Sequence, residues 1–355
     1  MRANIAFYVH HHGTGHLMRC LAISKEMRDC KVTFLGSSLR FHQSIIPEHI
    51  NCIDLPLDVA SEGDQRQFYD SELKGLHYAP LTIAGQRSRT AMLTKFFNDA
   101  YPLLLVVDVS VEVAMLARLC GIPTVVVRQH GKRTDLPHEI AYRNAVRLLA
   151  PYGAVMSRKD PEWLLQKTIF TGGFSRFDGF NPRSVIREKY RAAVLVGSGG
   201  TSINIDFLRY LCTQCPEWTF EAIGKIADSD AVTGCDNLRL HGHLDDPLEI
   251  LSCCEVVVGN AGHNTVMEVA ALNKKFIAIP ETRPFFEQVE KAEILANLRL
   301  AKVIHPQRMF KENWNAILSQ AAAEDPDWSE VIDRHATTKA AASIIEIFND
   351  IYQRD

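Results

Sequence analysis

The chain has 355 residues, 46% of them apolar and 23% charged, with a formal net charge of −3. That length accommodates two domains with separate cores, and the composition excludes a disordered or fibrous protein. The near-neutral balance removes any bulk electrostatic case for nucleic acid or an anionic bilayer.

Apolar runs such as 103–107 fall far short of a membrane span. Nine scattered cysteines and a start, Met1-Arg2-Ala3-Asn4, without a signal-peptide pattern give the expectation of a cytoplasmic protein with reduced thiols.

Taken in chain order, short apolar or β-branched runs recur at 5–9, 31–35, 52–55, 103–107, 124–127 and 154–156, separated by helix-length stretches such as 17–27 and 111–119. Buried strands joined by crossover helices predict a doubly wound parallel α/β sheet. An aperiodic stretch rich in Gly, Phe, Asp and Pro opens a linker placed at 171–190. Runs at 193–196, 219–223, 238–240, 256–258 and 276–279 repeat the plan. The expected architecture is therefore a Rossmann-like domain over 1–170 and a second over 191–330, facing each other across a cleft. A terminal segment, 331–355, carries an amphipathic helix over 338–352 that packs back on the first domain. Open α/β sheets bind ligands at the carboxyl ends of their strands, so the cleft is where a site belongs.

The turn after the first run reads His10-His11-His12-Gly13-Thr14-Gly15-His16. Gly13 and Gly15 let backbone N–H groups approach a ligand at the start of a helix, which favours an anion. The turn lacks the third glycine of a dinucleotide fingerprint. His16 can accept a proton from an attacking hydroxyl near neutral pH, or merely hydrogen-bond its own loop. Successive residues on a strand face opposite ways, so the histidines cannot all reach one metal ion, and neither metal nor cofactor is expected. Asp108 ends the run 103–107. It either orients His16 across neighbouring strand ends or caps the helix that follows.

In the second half, Gly259-Asn260-Ala261-Gly262-His263-Asn264-Thr265-Val266-Met267-Glu268 follows an apolar strand. Small residues and backbone donors at a helix start suit a pyrophosphate, and Glu268, about two turns in, suits a ribose hydroxyl pair. Glu287 and Gln288 stand in the loop after the next strand, where an acid and an amide read sugar hydroxyls. Gly197-Ser198-Gly199-Gly200-Thr201-Ser202 is a second candidate phosphate cradle.

The run Asn260–Glu268 resembles the core of the donor-binding signature of UDP-dependent glycosyltransferases. The continuation to Glu287-Gln288 is similar in spacing to MurG-type N-acetylglucosaminyltransferases of glycosyltransferase family 28. The resemblance implies a GT-B fold and sugar transfer from a nucleotide donor, UDP above all, to a hydroxyl acceptor, lipid-linked or glycan. It implies inversion without an obligatory metal, and at most peripheral contact at the inner face of a membrane. His16 is then the base and Asp108 its partner. Gly262, Asn264 and Thr265 hold the pyrophosphate, Glu268 the ribose, and the backbone around Leu244 the nucleobase; His263 lies in the same loop. Asn260 stands where the signature has a phosphate-contacting histidine. Arg128, Gln129 and His130 fall where MurG-type enzymes carry an acceptor-side loop, or form an ordinary turn. Gly15–Ala22 also resembles the PseG-type UDP-sugar hydrolases, which send the sugar to water, and a non-catalytic nucleotide-sugar-binding protein is a third reading.

Three further features have plainer expectations. Cys212 and Cys215 form a lone CxxC and, with Cys253 and Cys254, read as core or surface thiols. Residues 76–97, with Arg87, Arg89 and Lys95 among apolar residues, read as an amphipathic surface helix with solvated charges, or as a stretch that touches lipid or an acceptor phosphate. His241 and His243, beside Leu244, have no assigned side-chain role.

Overall fold

Two parallel sheets form the frame of the computed structural model, which describes residues 1–11, 15–61, 63–64, 75–157, 159–181, 185–197, 199–227 and 234–353. The first sheet contains β1 (Asn4–Val9), β2 (Lys31–Gly36), β3 (Asn51–Asp54), β4 (Leu104–Asp108), β5 (Thr124–Val127), β6 (Arg147–Ala150) and β7 (Thr168–Phe170). Around it stand α1 (Gly15–Ser24), α2 (Ala84–Asp99), α3 (Val111–Leu119), α4 (Leu136–Asn144) and α5 (Glu162–Lys167). The second sheet contains β8 (Glu188–Leu195), β9 (Thr219–Ile223), β10 (Leu238–Gly242), β11 (Cys254–Gly259), β12 (Lys275–Ala278) and β13 (Ala301–Val303). Its helices are α6 (Ile205–Gln214), α7 (Leu248–Cys253), α8 (His263–Ala271), α9 (Glu287–Asn297) and α10 (Trp314–Ala323); α11 (Ala336–Tyr352) follows.

The strand orders are β3-β2-β1-β4-β5-β6-β7 and β10-β9-β8-β11-β12-β13. In each sheet the order reverses beside its first strand, leaving a crevice at the carboxyl ends of β1 and β4 and again at those of β8 and β11. Register fixes what meets there: Val9 pairs with Asp108, and Leu195 with Gly259. The glycine loops therefore emerge where the sequence pattern put them.

The last helix does not belong to the second core. Ala340, Ala341, Ile344, Ile347 and Phe348 join Ile5, Phe7, Leu17 and Leu21 in one buried cluster, and the Tyr352 hydroxyl donates to the Leu103 carbonyl at 2.9 Å. Spacings of three and four put those side chains on one face of α11. The chain thus crosses between the domains twice, and the crossings touch. The Gly173 amide donates to the Val331 carbonyl, and the Asp333 amide to the Gly173 carbonyl, both at 2.8 Å. A Cβ on Gly173 would stand 2.2 Å from the Met267 sulfur, so only glycine fits.

Some expectations need correction. Residues 154–156 lie in a 3₁₀ turn, Ala154–Ser157, and not in a strand. The flanking β6 and β7 carry the pairing instead, and strands as short as β7 and β13, half-buried throughout, leave no apolar run to read. Helix α2 is amphipathic, with Arg87 and Lys95 exposed, but Arg89 is buried rather than solvated. It donates to the Tyr8 hydroxyl at 2.7 Å and the Pro56 carbonyl at 3.0 Å, and pairs with Asp58 at 3.1 Å. The CxxC thiols are buried in the second domain's core.

Candidate active site

His16 and Asp108 meet. The fully buried Asp108 carboxylate lies 3.2 Å from His16 Nδ1. Val109, the next residue, takes a left-handed φ of 66°, a strained state for a β-branched side chain. That bend separates the end of β4 from the cap of α3, which is Ser110, its hydroxyl accepting from the Val113 amide. The capping role open to Asp108 on sequence grounds is thereby filled by another residue.

A third group completes the arrangement, and the sequence reading passed over it. Arg19, one turn along α1 from His16, donates through Nη2 to both Asp108 oxygens, at 2.7 and 3.0 Å, and lies 3.0 Å from His16 Nδ1. An i, i+3 spacing on a helix puts two side chains on one face, which was the available signal. His16 Nδ1 thus faces both the carboxylate and the guanidinium; with the ring hydrogen on Nδ1 it donates to Asp108 and Nε2 keeps a lone pair, the tautomer a base needs. Burial opposes ionisation of Asp108, but the Arg19 guanidinium and then His16 outweigh it and hold the carboxyl well below the usual carboxylate range.

The second domain brings its own helix start to the same space. Gly262 caps α8 without a side-chain hydrogen bond, so the first amides of the helix are open to a ligand. A Cβ on Gly15 would stand 3.1 Å from Asn264 Nδ2, so the starts of α1 and α8 face each other closely. Gln288 Oε1 accepts from the Glu281 amide at 3.0 Å, and its Nε2 points towards Gly262. Glu281, another residue the sequence did not flag, accepts from the Ser202 amide and hydroxyl, at 2.5 and 2.7 Å, and from Thr201 at 3.3 Å. Arg283 donates to the Gly200 carbonyl and lies beside Gly199. The loop that begins at Gly197 is thus latched to the loop after β12.

Other candidates are placed differently. Asn260 is buried and gives its amide to the Ile279 carbonyl and to Glu281, at 2.9 and 3.2 Å, so it braces the loop and has no donor left for a phosphate. Glu268 pairs with Arg176 of the linker at 2.9 Å, with burial pushing its carboxyl up. Leu244 packs against the second core, and His241 is tied to the buried Glu221 at 2.6 Å. Arg128 gives its Nη groups to Asp160 and Thr168, at 2.6 and 3.1 Å, and its Nε is buried without a partner. Gln129 accepts from Arg133 at 2.8 Å, and His130 packs against Tyr152 with the rings tilted by 38° and their centroids 4.1 Å apart. Thr265 and Asn264 stand in the first turn of α8. Gly13 and Ser198 lie outside the described residues.

Where the domains touch, the Lys132 amide donates to the Phe285 carbonyl at 2.6 Å and Arg133 lies 3.7 Å from Glu287. His77, Asp135 and His138 cluster beside this seam, and among the described residues they are the one group with metal-ligand spacing. Hydrogen bonding accounts for them without an ion. Arg133 donates to His138 Nε2 at 2.9 Å, so His138 Nδ1–H donates to Asp135 at 2.6 Å, and His77 Nε2 reaches the same carboxylate at 2.5 Å. His138 then has no lone pair to offer a metal.

Burial, ahead of any neighbour, pushes the His138 imidazole down to about 4 and holds His130 and His263 well below the ordinary histidine value. An unfolded histidine binds its proton near about pH 6.5, while these three stay neutral in the fold. The unfolded chain therefore holds more protons, and stability is lost as pH falls from about 6.5 towards 4. Melting temperatures should drop steadily between pH 7 and pH 5, less steeply in His138→Gln. A flat profile across that interval would contradict the buried placement.

Residues 225–346 match the glycosyltransferase family 28 C-terminal domain. Over nearly its whole length the chain is similar to a UDP-N-acetylglucosamine–N-acetylmuramyl-(pentapeptide) pyrophosphoryl-undecaprenol N-acetylglucosamine transferase of Haemophilus ducreyi, at 23% identity over 95% of this chain and 96% of the relative. The enzyme of the same name from Geobacillus kaustophilus is also 23% identical, over 88% and 92%. Among solved structures, Acinetobacter baumannii MurG superposes with a TM-score of 0.61 at 15% identity, each chain fully covered. The calicheamicin glycosyltransferase gives 0.62 at 15%, again with full coverage. The two facing parallel sheets are the GT-B fold of those structures, and the relatives named are transferases rather than hydrolases. Sheets, C-terminal domain and full-length likeness together support a glycosyltransferase of GT-B fold that carries a family 28 C-terminal domain at residues 225–346.

Proposed function

We propose that the donor is a UDP-sugar, that the acceptor is a hydroxyl on a lipid-linked glycan, and that transfer proceeds with inversion and without an obligatory metal. The observation that carries this reading is the buried His16–Asp108 contact opening onto the uncapped start of α8. The donor diphosphate lies against the α8 amides and Gln288, where negative charge grows as the sugar leaves. The acceptor hydroxyl stands by His16 Nε2, which takes its proton, and Asp108 stabilises the imidazolium that forms. Direct attack across the cleft is a single displacement, so the anomeric configuration inverts.

The lipid-linked acceptor rests on the printed names of the relatives, which specify UDP-N-acetylglucosamine and an undecaprenol pyrophosphate. Among the described residues no helix is long and apolar enough to cross a membrane. The reading therefore has the enzyme meet its lipid peripherally, at the inner face.

A screen of nucleotide sugars, with free nucleotide and free sugar both followed, tests the reaction with and without undecaprenol-linked acceptors. Acceptor-dependent release of UDP that survives EDTA is expected. Equal release of UDP and free sugar without acceptor would mean hydrolysis.

Glu268 is assigned the ribose hydroxyls, which must share it with Arg176 or displace that side chain. Glu268→Ala should weaken UDP binding by about 1.5–3 kcal/mol, the range for a hydrogen bond to a charged group, whereas Arg176→Ala should not weaken it. Calorimetry giving wild-type UDP affinity in a folded Glu268→Ala protein would move the nucleotide elsewhere.

A further inference from the structure

Lys291 lies on α9, one turn after Gln288, and is 2% exposed. Among the described residues its ammonium has neither a hydrogen-bond acceptor nor an ion-pair partner. The cations around it are matched: Arg19 with Asp108, Arg128 with Asp160, and Arg133 with Glu287. Lys291 is the charge left over. It shares α9 with Glu287 and Gln288, one turn earlier, and Glu287 reaches Arg133 across the seam where the domains meet; burial first, with Arg19 and Arg133 adding to it and Glu287 opposing, pushes its ammonium down to about 8. Three neighbours are also incompletely satisfied: Arg19 Nε, Arg128 Nε and His130 Nε2 are buried with no partner. Loop contacts bring these groups together. A Cβ on Gly131, next to His130, would stand 3.1 Å from the Glu287 Cα, at the start of α9.

Buried donors are nearly always paired, and a buried cation without a counter-ion is costly. Several such groups beside one seam, with a lysine that has no ion-pair partner, suit an anion. We propose that Lys291, Arg19 and His130 form an anion subsite that takes a phosphate or carboxylate group of the substrate. The subsite serves the transfer reaction proposed above and rests on that reading for its role, but its anion binding can be measured whether or not UDP is the donor. The anion comes either from the donor diphosphate or from the acceptor or the transferred sugar.

Calorimetry with inorganic phosphate, UDP and uridine on wild type, Lys291→Met and Lys291→Arg separates the cases. Lys291→Met removes an unmatched buried charge, so its melting temperature should equal or exceed that of wild type. It should lose about tenfold or more of its affinity for the anion, as expected for a charge-assisted hydrogen bond, and Lys291→Arg should retain most of it. Loss for UDP with uridine unchanged assigns the subsite to the donor diphosphate. Loss for phosphate alone, with phosphate and UDP binding together, assigns it to the acceptor or the sugar. Phosphate binding through Lys291 in a protein that ignores UDP would sink the donor reading and leave the subsite standing. If phosphate and UDP behave identically in wild type and Lys291→Met, no anion sits against this lysine and the proposal is wrong.

Discussion

His16→Ala is expected to bind UDP as wild type does and to lose turnover by a factor of about 10²–10⁴, the usual contribution of a positioned base. The ring lies against a buried carboxylate, and with its hydrogen on Nδ1, donated to Asp108, it has Nε2 free to take a proton. Asp108→Asn should also lose turnover. An amide cannot stabilise the imidazolium, and its N–H can donate to Nδ1 and so put the ring hydrogen on Nε2. The double variant should be little worse than His16→Ala alone, because groups acting as one unit are not additive. Wild-type rates in folded His16→Ala, with saturating donor and acceptor, would leave the reaction without its base. Additive losses would mean that the two side chains work independently.

The second large effect is on stability. Asp108→Leu should destabilise the protein by about 3–5 kcal/mol, since it strands the Arg19 guanidinium in a buried site with no counter-ion. Replacing both, as Arg19→Met with Asp108→Leu, should recover most of that loss, because neither charge is then buried. Denaturant unfolding of the four proteins measures the coupling. If the double variant is as unstable as the sum of the singles, the cost lies in packing and not in charge. The pair also bears on activity. Arg19 keeps Asp108 ionised, yet shares the negative charge that the imidazolium would otherwise hold alone.

The sequence by itself determined the two-domain parallel plan, because a strand buried on both faces must be a continuous apolar run and its loops must carry glycine to turn. Runs such as 124–127 and 219–223 became strands with those bounds. It also put His16 and Asp108 at neighbouring strand ends, since both follow runs that the topology sets side by side. Other features required the tertiary structure. A buried arginine looks like a solvated one in sequence: Arg89 and Arg19 carry no local mark of the carboxylates and hydroxyls, up to 89 residues away, that receive them. Asn260 stands where the resembled donor-binding signature has a phosphate-contacting histidine, but the approach of Glu281 and of the Ile279 carbonyl takes up its amide. Nothing in the sequence singled out Lys291. Only the meeting of the two domains buries it without a partner, because burial depends on what packs over a residue and not on the residues beside it in the chain.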